Sequence, residues 1–246
     1  MPVRFKRTSG RLRRSTLRKL ARKGLRKAAI MKARARTPLP KQKKFAVMGT
    51  GLPQRVMVKH KYVTKYNTTI SESAITSVVI RANSLFDPEY ALGGHQPMYF
   101  DQYAELYNHY TVIGSRITFT VVNTDAQEAQ YAYFVVAYRD DNATLPPGTT
   151  MEGIAEQTQG RRIVSVPGGA NNVYKTSLSF SAKKTFGGSV LGNPELRGSA
   201  TANPNEDQYF ILALRAAAPT TGGNVVISIH VEYVAIWNEL KDVAQS

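Results

Sequence analysis

VVISIHVEYVAIW, residues 225–237, decides the fold. Val225, Ile227, Ile229, Val231, Tyr233 and Trp237 fall on alternate positions, with Ser228, His230 and Glu232 between them. A period of two over β-branched and aromatic residues predicts a strand buried on one face, as in antiparallel sheets packed face to face. The same chemistry recurs upstream. Residues 55–68, 75–82, 111–123, 130–139, 161–166, 173–182 and 207–216 are rich in Val, Ile, Thr, Tyr and Phe and are separated by polar, Gly- and Pro-containing connections. Eight antiparallel strands with long loops predict an all-β fold, a single eight-stranded jelly-roll sandwich. An immunoglobulin-type sandwich is the alternative, but its loops are shorter and its length is nearer about 100 residues.

The first strand shows its two faces most plainly. Val56, Val58, Tyr62 and Tyr66 share one side, and Lys59, Lys61 and Lys65 share the other. The lysines are therefore expected on an outer surface, together with Arg116 and Lys175 from other strands, where they are candidates for phosphate contact. Two insertions read as short helices, 100–107 with aromatics at spacings of three and four, and 149–156, where Thr149 and Glu152 form a capping-box pattern. Tyr62, Tyr66, Tyr131, Tyr133 and Tyr138 are better read as core or sheet surface than as base-stacking platforms.

Charge divides the chain. Residues 1–44 hold 18 of the 33 Lys and Arg: Arg4, Lys6, Arg7, Arg11, Arg13, Arg14, Arg18, Lys19, Arg22, Lys23, Arg26, Lys27, Lys32, Arg34, Arg36, Lys41, Lys43 and Lys44. They hold none of the 17 Asp and Glu, so this segment carries +18, while residues 45–246 carry 15 positive against 17 negative charges, a net of −2. A single-sign block of this kind repels itself and does not bury a core, so an arm disordered when free is expected. Many cations on one segment displace counterions from phosphate, which makes nucleic acid the first partner and an anionic membrane surface the weaker rival. Basic runs of this type also serve as nuclear import signals. Leu17, Ala21, Leu25 and Ala28 have helical spacing within the arm, with Gly24 against it. A helix formed on phosphate and a plain polycation are both compatible with that pattern. Thr37-Pro38-Leu39-Pro40 ends any helix, and 45–54 reads as a hinge before a shell domain over 55–240 and a tail over 241–246.

Nothing in the sequence assembles a catalytic site. There is no cysteine, which removes disulfides, thiolate metal sites and cysteine nucleophiles. No apolar run approaches the roughly 18 residues that span a bilayer, and no secretory leader is seen. His60, His95, His109 and His230 make no metal-ligand spacing, and no nucleophile elbow, phosphate loop or zinc-protease motif occurs. Asp140 and Asp141 read as a solvated turn in preference to a divalent-ion site, and Gly168–Asn172 as a hairpin loop. No enzyme activity, cofactor or metal is expected.

One segment carries a resemblance. Gly94-His95-Gln96-Pro97-Met98-Tyr99-Phe100-Asp101-Gln102-Tyr103-Ala104-Glu105-Leu106-Tyr107-Asn108-His109-Tyr110, running on through Gly114-Ser115-Arg116-Ile117, resembles the capsid proteins of circovirus-like viruses, which have circular single-stranded DNA genomes and encode a replication initiator. Those capsids join such a segment to a basic N-terminal arm and a single jelly roll. The resemblance implies a structural subunit that assembles with identical copies, sixty in the simplest icosahedral shell, with the arm holding a single-stranded DNA genome (RNA is the alternative). It further implies residence in the virion and, during assembly, in the host nucleus by way of import receptors. It names no cell-surface receptor. It places 94–110 near a subunit contact and gives Asp101 and Gln102 structural roles. The competing reading is a cellular nucleic-acid-binding protein, a basic tail on a β-sandwich that forms no shell.

Overall fold

The computed structural model describes residues 51–91, 93–124, 133–157, 160, 162–166, 173–217 and 223–242. All eighteen arm cations, most of the hinge, Tyr131, Gly168–Asn172 and most of the tail lie outside the described residues.

The strands in chain order are β1 (Arg55–Ile70), β2 (Thr76–Arg81), β3 (Tyr107–Asn123), β4 (Tyr133–Asp140), β5 (Val164–Val166), β6 (Val173–Ser181), β7 (Arg197–Ser199), β8 (Tyr209–Ala216) and β9 (Gly223–Leu240). Helices α1 (Phe100–Leu106), α2 (Met151–Glu156) and α3 (Ala182–Phe186) lie in the connections. The eight expected strands are present. The expected strand over 161–166 shortens to β5, and a ninth, β7, pairs with the start of β3. Pairing is antiparallel throughout, in one sheet ordered β1-β9-β3-β6 and another ordered β2-β8-β4-β5. With β7 set aside, consecutive strands alternate between sheets, save for the paired β4 and β5, in the order that defines a jelly roll.

Between the sheets, Ile117, Phe119, Ile227, Ile229, Val231 and Tyr233 meet Ile80, Val135, Phe210, Leu212 and Leu214, all buried. The second sheet departs from one-sided burial. Val136, Tyr138, Tyr209, Ile211 and Ala213 point away from this core and are buried beneath Met151 and Ile154 of α2. A strand covered on both faces has no polar side to alternate with, hence the runs Phe134-Val135-Val136-Ala137-Tyr138 and Phe210-Ile211-Leu212-Ala213-Leu214.

Two helical details differ from the sequence reading. The N-cap of α2 is Thr150, whose hydroxyl accepts from the Gly153 amide at 3.1 Å. The Thr149 hydroxyl instead donates to the Pro146 carbonyl at 2.6 Å, so the capping-box partner chosen from spacing is one residue early. The Ala-Lys-Lys-Thr-Phe helix α3 follows β6 directly and carries no side-chain cap hydrogen bond that would have announced it.

The segment 94–110 connects β2 to β3 and packs on β1 and β9. Trp237 is fully buried among Phe100, Tyr103 and Tyr110, with Tyr103 stacked on it at 5.7 Å. Its indole N–H donates to His60 Nε2 at 3.0 Å. Beyond β9, the Lys241 ammonium donates to the Ala104 carbonyl at 2.7 Å and ties the chain to α1. The Tyr110 hydroxyl accepts from the Leu85 and Phe86 amides, which fixes the start of the connection. Gly198 of β7 lies against the Tyr110 ring so closely that any Cβ would overlap it.

Candidate nucleic-acid interface

The two outer faces of the sandwich are unlike. The face of β2-β8-β4-β5 is roofed by α2. Among the described residues, no helix covers the face of β1-β9-β3-β6. Along β1 every odd residue from Arg55 to Thr69 is exposed, while His60, Tyr62 and Ile70 on the even side are buried. Lys59, Lys61 and Lys65 therefore project outward, as the alternation predicts. Facing on β3 is set by a register shift between Val112 and Gly114, where Ile113 is the extra residue. A bulge of this kind reverses which positions point inward. Tyr110 and Val112 are buried before it, and Ser115, Ile117 and Phe119 after it, so Arg116 emerges on the outer face. Lys175 on β6 emerges there too, opposite Thr120.

Register then aligns these groups in rows. Lys61 lies opposite Glu232, which lies opposite Arg116, which lies opposite Ser179. Beyond the row Val63, His230, Thr118, Ser177, a further row runs Lys65, Ser228, Thr120, Lys175. Directly opposed Cβ atoms in antiparallel pairs are about 5 Å apart, so the rows bring cations from three strands together. Arg55 and His230 share this face and complete it; neither was marked by sequence reasoning as a binding residue. Glu232 is the one carboxylate in these rows; Glu239, exposed near the end of β9, lies instead against His109 and Arg197. Glu232 pairs with Lys59 at 2.9 Å. The Lys59 hydrogen bond, aided by the charges of Lys59, His230 and Lys61, holds its carboxyl below the ordinary value against desolvation.

Arg55, Lys59, Lys61, Lys65, Arg116 and Lys175 against Glu232 and, at the end of β9, Glu239 leave this face electropositive. Hydroxyls of Thr118, Thr120, Ser177 and Ser228 lie between them, with Thr118 and Ser177 in hydrogen-bond contact at 3.1 Å. No Phe, Tyr or Trp is among the described outward residues of these strands. The chemistry suits phosphate and sugar, which position a nucleic acid without reading it, and offers no platform for stacked bases. Tyr62, Tyr133 and Tyr138 are buried core residues, and Tyr66 is half-buried on the inner side of β1.

The remaining candidates have structural partners. Burial lowers the His60 pKa, and the Met98 carbonyl 3.3 Å from Nδ1 opposes that effect in part. His95 packs on the Tyr62 ring at 4.6 Å, and His109 Nε2 lies 3.3 Å from Glu239. Asp140 Oδ1 accepts from the Asp141 and Asn142 amides, the turn geometry expected there. A polar network absent from the sequence reading occupies one end of the sandwich. The Arg81 guanidinium donates to Asp87 at 2.9 Å and Asp207 at 3.3 Å, and the Tyr62 hydroxyl donates to the Glu89 carboxylate. Burial pushes the Glu89 carboxyl up, but the Tyr62, Tyr66 and Thr64 hydroxyls outweigh it and hold the group below its ordinary value.

No family model and no curated protein matches the chain. Several solved structures overlap it loosely. Desmodium yellow mottle tymovirus aligns over 81% of this chain and 95% of its own at 12% identity, with a TM-score of 0.39. Cucumber leaf spot virus aligns over 79% of this chain and 54% of its own at 13% identity, with a TM-score of 0.45. The 60-mer BFDV capsid protein aligns over 79% of this chain and all of its own at 7% identity, with a TM-score of 0.42.

Proposed function

We propose that this chain is the structural subunit of a small icosahedral virus shell that packages single-stranded DNA through its basic arm. The observation that carries the reading is the union of a jelly-roll strand order with a segment of +18 at one end of the sequence. The resemblance of residues 94–117 to circovirus-like capsids supports it. So does the open basic face, a second surface for phosphate on the folded domain.

The charge is of the right size. In the simplest closed shell, sixty arms of +18 bring roughly 1,100 positive charges, enough to neutralise a large part of a genome on the order of 2,000 nucleotides, with small cations covering the rest. The domain division that goes with this function is arm 1–44, hinge 45–54, shell domain 55–240 and tail 241–246. The arm also serves as the import signal, and fused to a fluorescent protein it should carry the fusion into the nucleus of a eukaryotic cell; a cytoplasmic reporter removes that role.

Electron microscopy of the purified protein tests the central claim. Closed shells of uniform diameter support it. A monomer or small oligomer in solution favours the cellular nucleic-acid-binding reading. Nucleic acid extracted from the particles, treated with DNase or RNase, decides the genome type.

A further inference from the structure

One carboxylate of the basic face, Glu232, stands in the row where Lys61 and Arg116 flank it and Lys59 reaches it. Glu232 lies on β9, between β1 and β3, with Lys61 in register on one side and Arg116 on the other. Lys59 reaches it diagonally from β1 at 2.9 Å. The Lys59 side chain is 54% exposed and that of Glu232 31%. An exposed ion pair adds little to stability and opens readily. Yet the position of Glu232 is the centre of the patch, where it offsets more positive charge than at any edge.

A carboxylate and a phosphate make the same demands on lysine and arginine: negative charge and oxygen acceptors for charge-assisted hydrogen bonds. We infer that Glu232 is a resident stand-in for a phosphate group, holding Lys59, Lys61 and Arg116 until the phosphates of a nucleic acid displace it. This deepens the reading of the face as a phosphate surface and rests on it. Displacement leaves Glu232 close to the arriving phosphates, whose charge it repels. The face thus binds more weakly than its cations alone would dictate, and its hold on the nucleic acid is reversible. Lys65 and Lys175 sit at the two ends of the row two beyond, clear of Glu232, and report occupancy of the face without being its partners.

The test uses the full chain as dissociated subunits, a short oligothymidylate as probe, and acylation of lysines read by mass spectrometry. Protection of Lys65 and Lys175 is followed against oligonucleotide concentration in the wild type and in Glu232→Gln, which keeps the size of the side chain and removes its charge. Exposed Lys183 and Lys184 on α3 serve as references. Protection in the variant should be half-complete at about a three-fold lower concentration, the effect of deleting one like charge a few ångströms from the phosphates in a solvated setting. An unchanged or higher midpoint, with both lysines still protected, overturns the role of Glu232 and leaves the face as a phosphate surface. No protection in either chain overturns the phosphate surface itself.

Discussion

Trp237 and His60 are joined by a hydrogen bond that admits one tautomer. The indole N–H donates to His60 Nε2 at 3.0 Å, so that nitrogen must be the bare acceptor, and the ring proton belongs on Nδ1, 3.3 Å from the Met98 carbonyl. A second proton on the ring would set two N–H groups against each other. Burial favours the same neutral form and lowers the pKa in the folded state. A histidine with a depressed folded pKa contributes stability above its unfolded value, and that stability is lost as pH falls through 6.5 and on toward the folded value. Thermal midpoints should therefore drop on acidification below about pH 6.5. His60→Gln, which retains an acceptor for Trp237 without the titration, should flatten that drop. A variant that melts in parallel with the wild type at every pH would assign the acid sensitivity elsewhere.

Glu89 and Tyr62 form a second pair whose cost shows only when it is split. Glu89→Leu leaves the Tyr62 hydroxyl, in a residue 1% exposed, without its acceptor. Urea denaturation should register a loss of about 1–3 kcal/mol. Adding Tyr62→Phe should restore part of it, because the stranded donor is then gone. Strictly additive losses would mean that the hydroxyl finds another partner.

The arm and the domain should separate cleanly. Deletion of residues 1–44 should leave the β-type circular dichroism spectrum intact, because the core begins at β1, while the nucleic acid that copurifies should collapse. Loss of the β signal would show that the arm is needed to fold.

In the same shortened chain, Lys59→Gln, Lys61→Gln and Lys65→Gln together should lessen the salt dependence of single-strand binding. Each lost contact removes about 0.7 from the slope of log affinity against log salt, with sequence preference unchanged. An unaltered slope would show that this face is merely solvated.

How much of this was legible depends on what covers each strand. β1 and β9 keep one side open, so their alternation reads directly from sequence. β8 and, past the exposed Phe134, β4 are covered on both sides, and their apolar runs say only that they are buried. The lysines of the basic face were visible for the same reason as β1 itself. Their grouping with Glu232 and Arg116 was not. It requires β9 to lie between β1 and β3, and it requires the bulge at Ile113 to turn Arg116 outward. Neither register nor a bulge leaves a mark in local composition. The Glu89 and Arg81 networks were hidden likewise, since their partners come from distant strands and loops.

The central place of β9 also bears on how the protein comes into being. Its register with β1 runs from Ile70 opposite Gly223 to Arg55 opposite Asn238, so every rung joins residues 153 to 183 positions apart. β3 takes its main partner from the same strand. During synthesis, β1 waits unpaired until β9 emerges, while β3 can pair only with β6 and β7 before then, and pairing as remote as that of β1 with β9 is slow. Closure of the first sheet thus waits on β9, which protease digestion of chains stalled before and after residue 240 would time. Until then β1 presents its lysines along a strand with both edges bare, and charge of that kind is what discourages edge-to-edge aggregation among newly made chains.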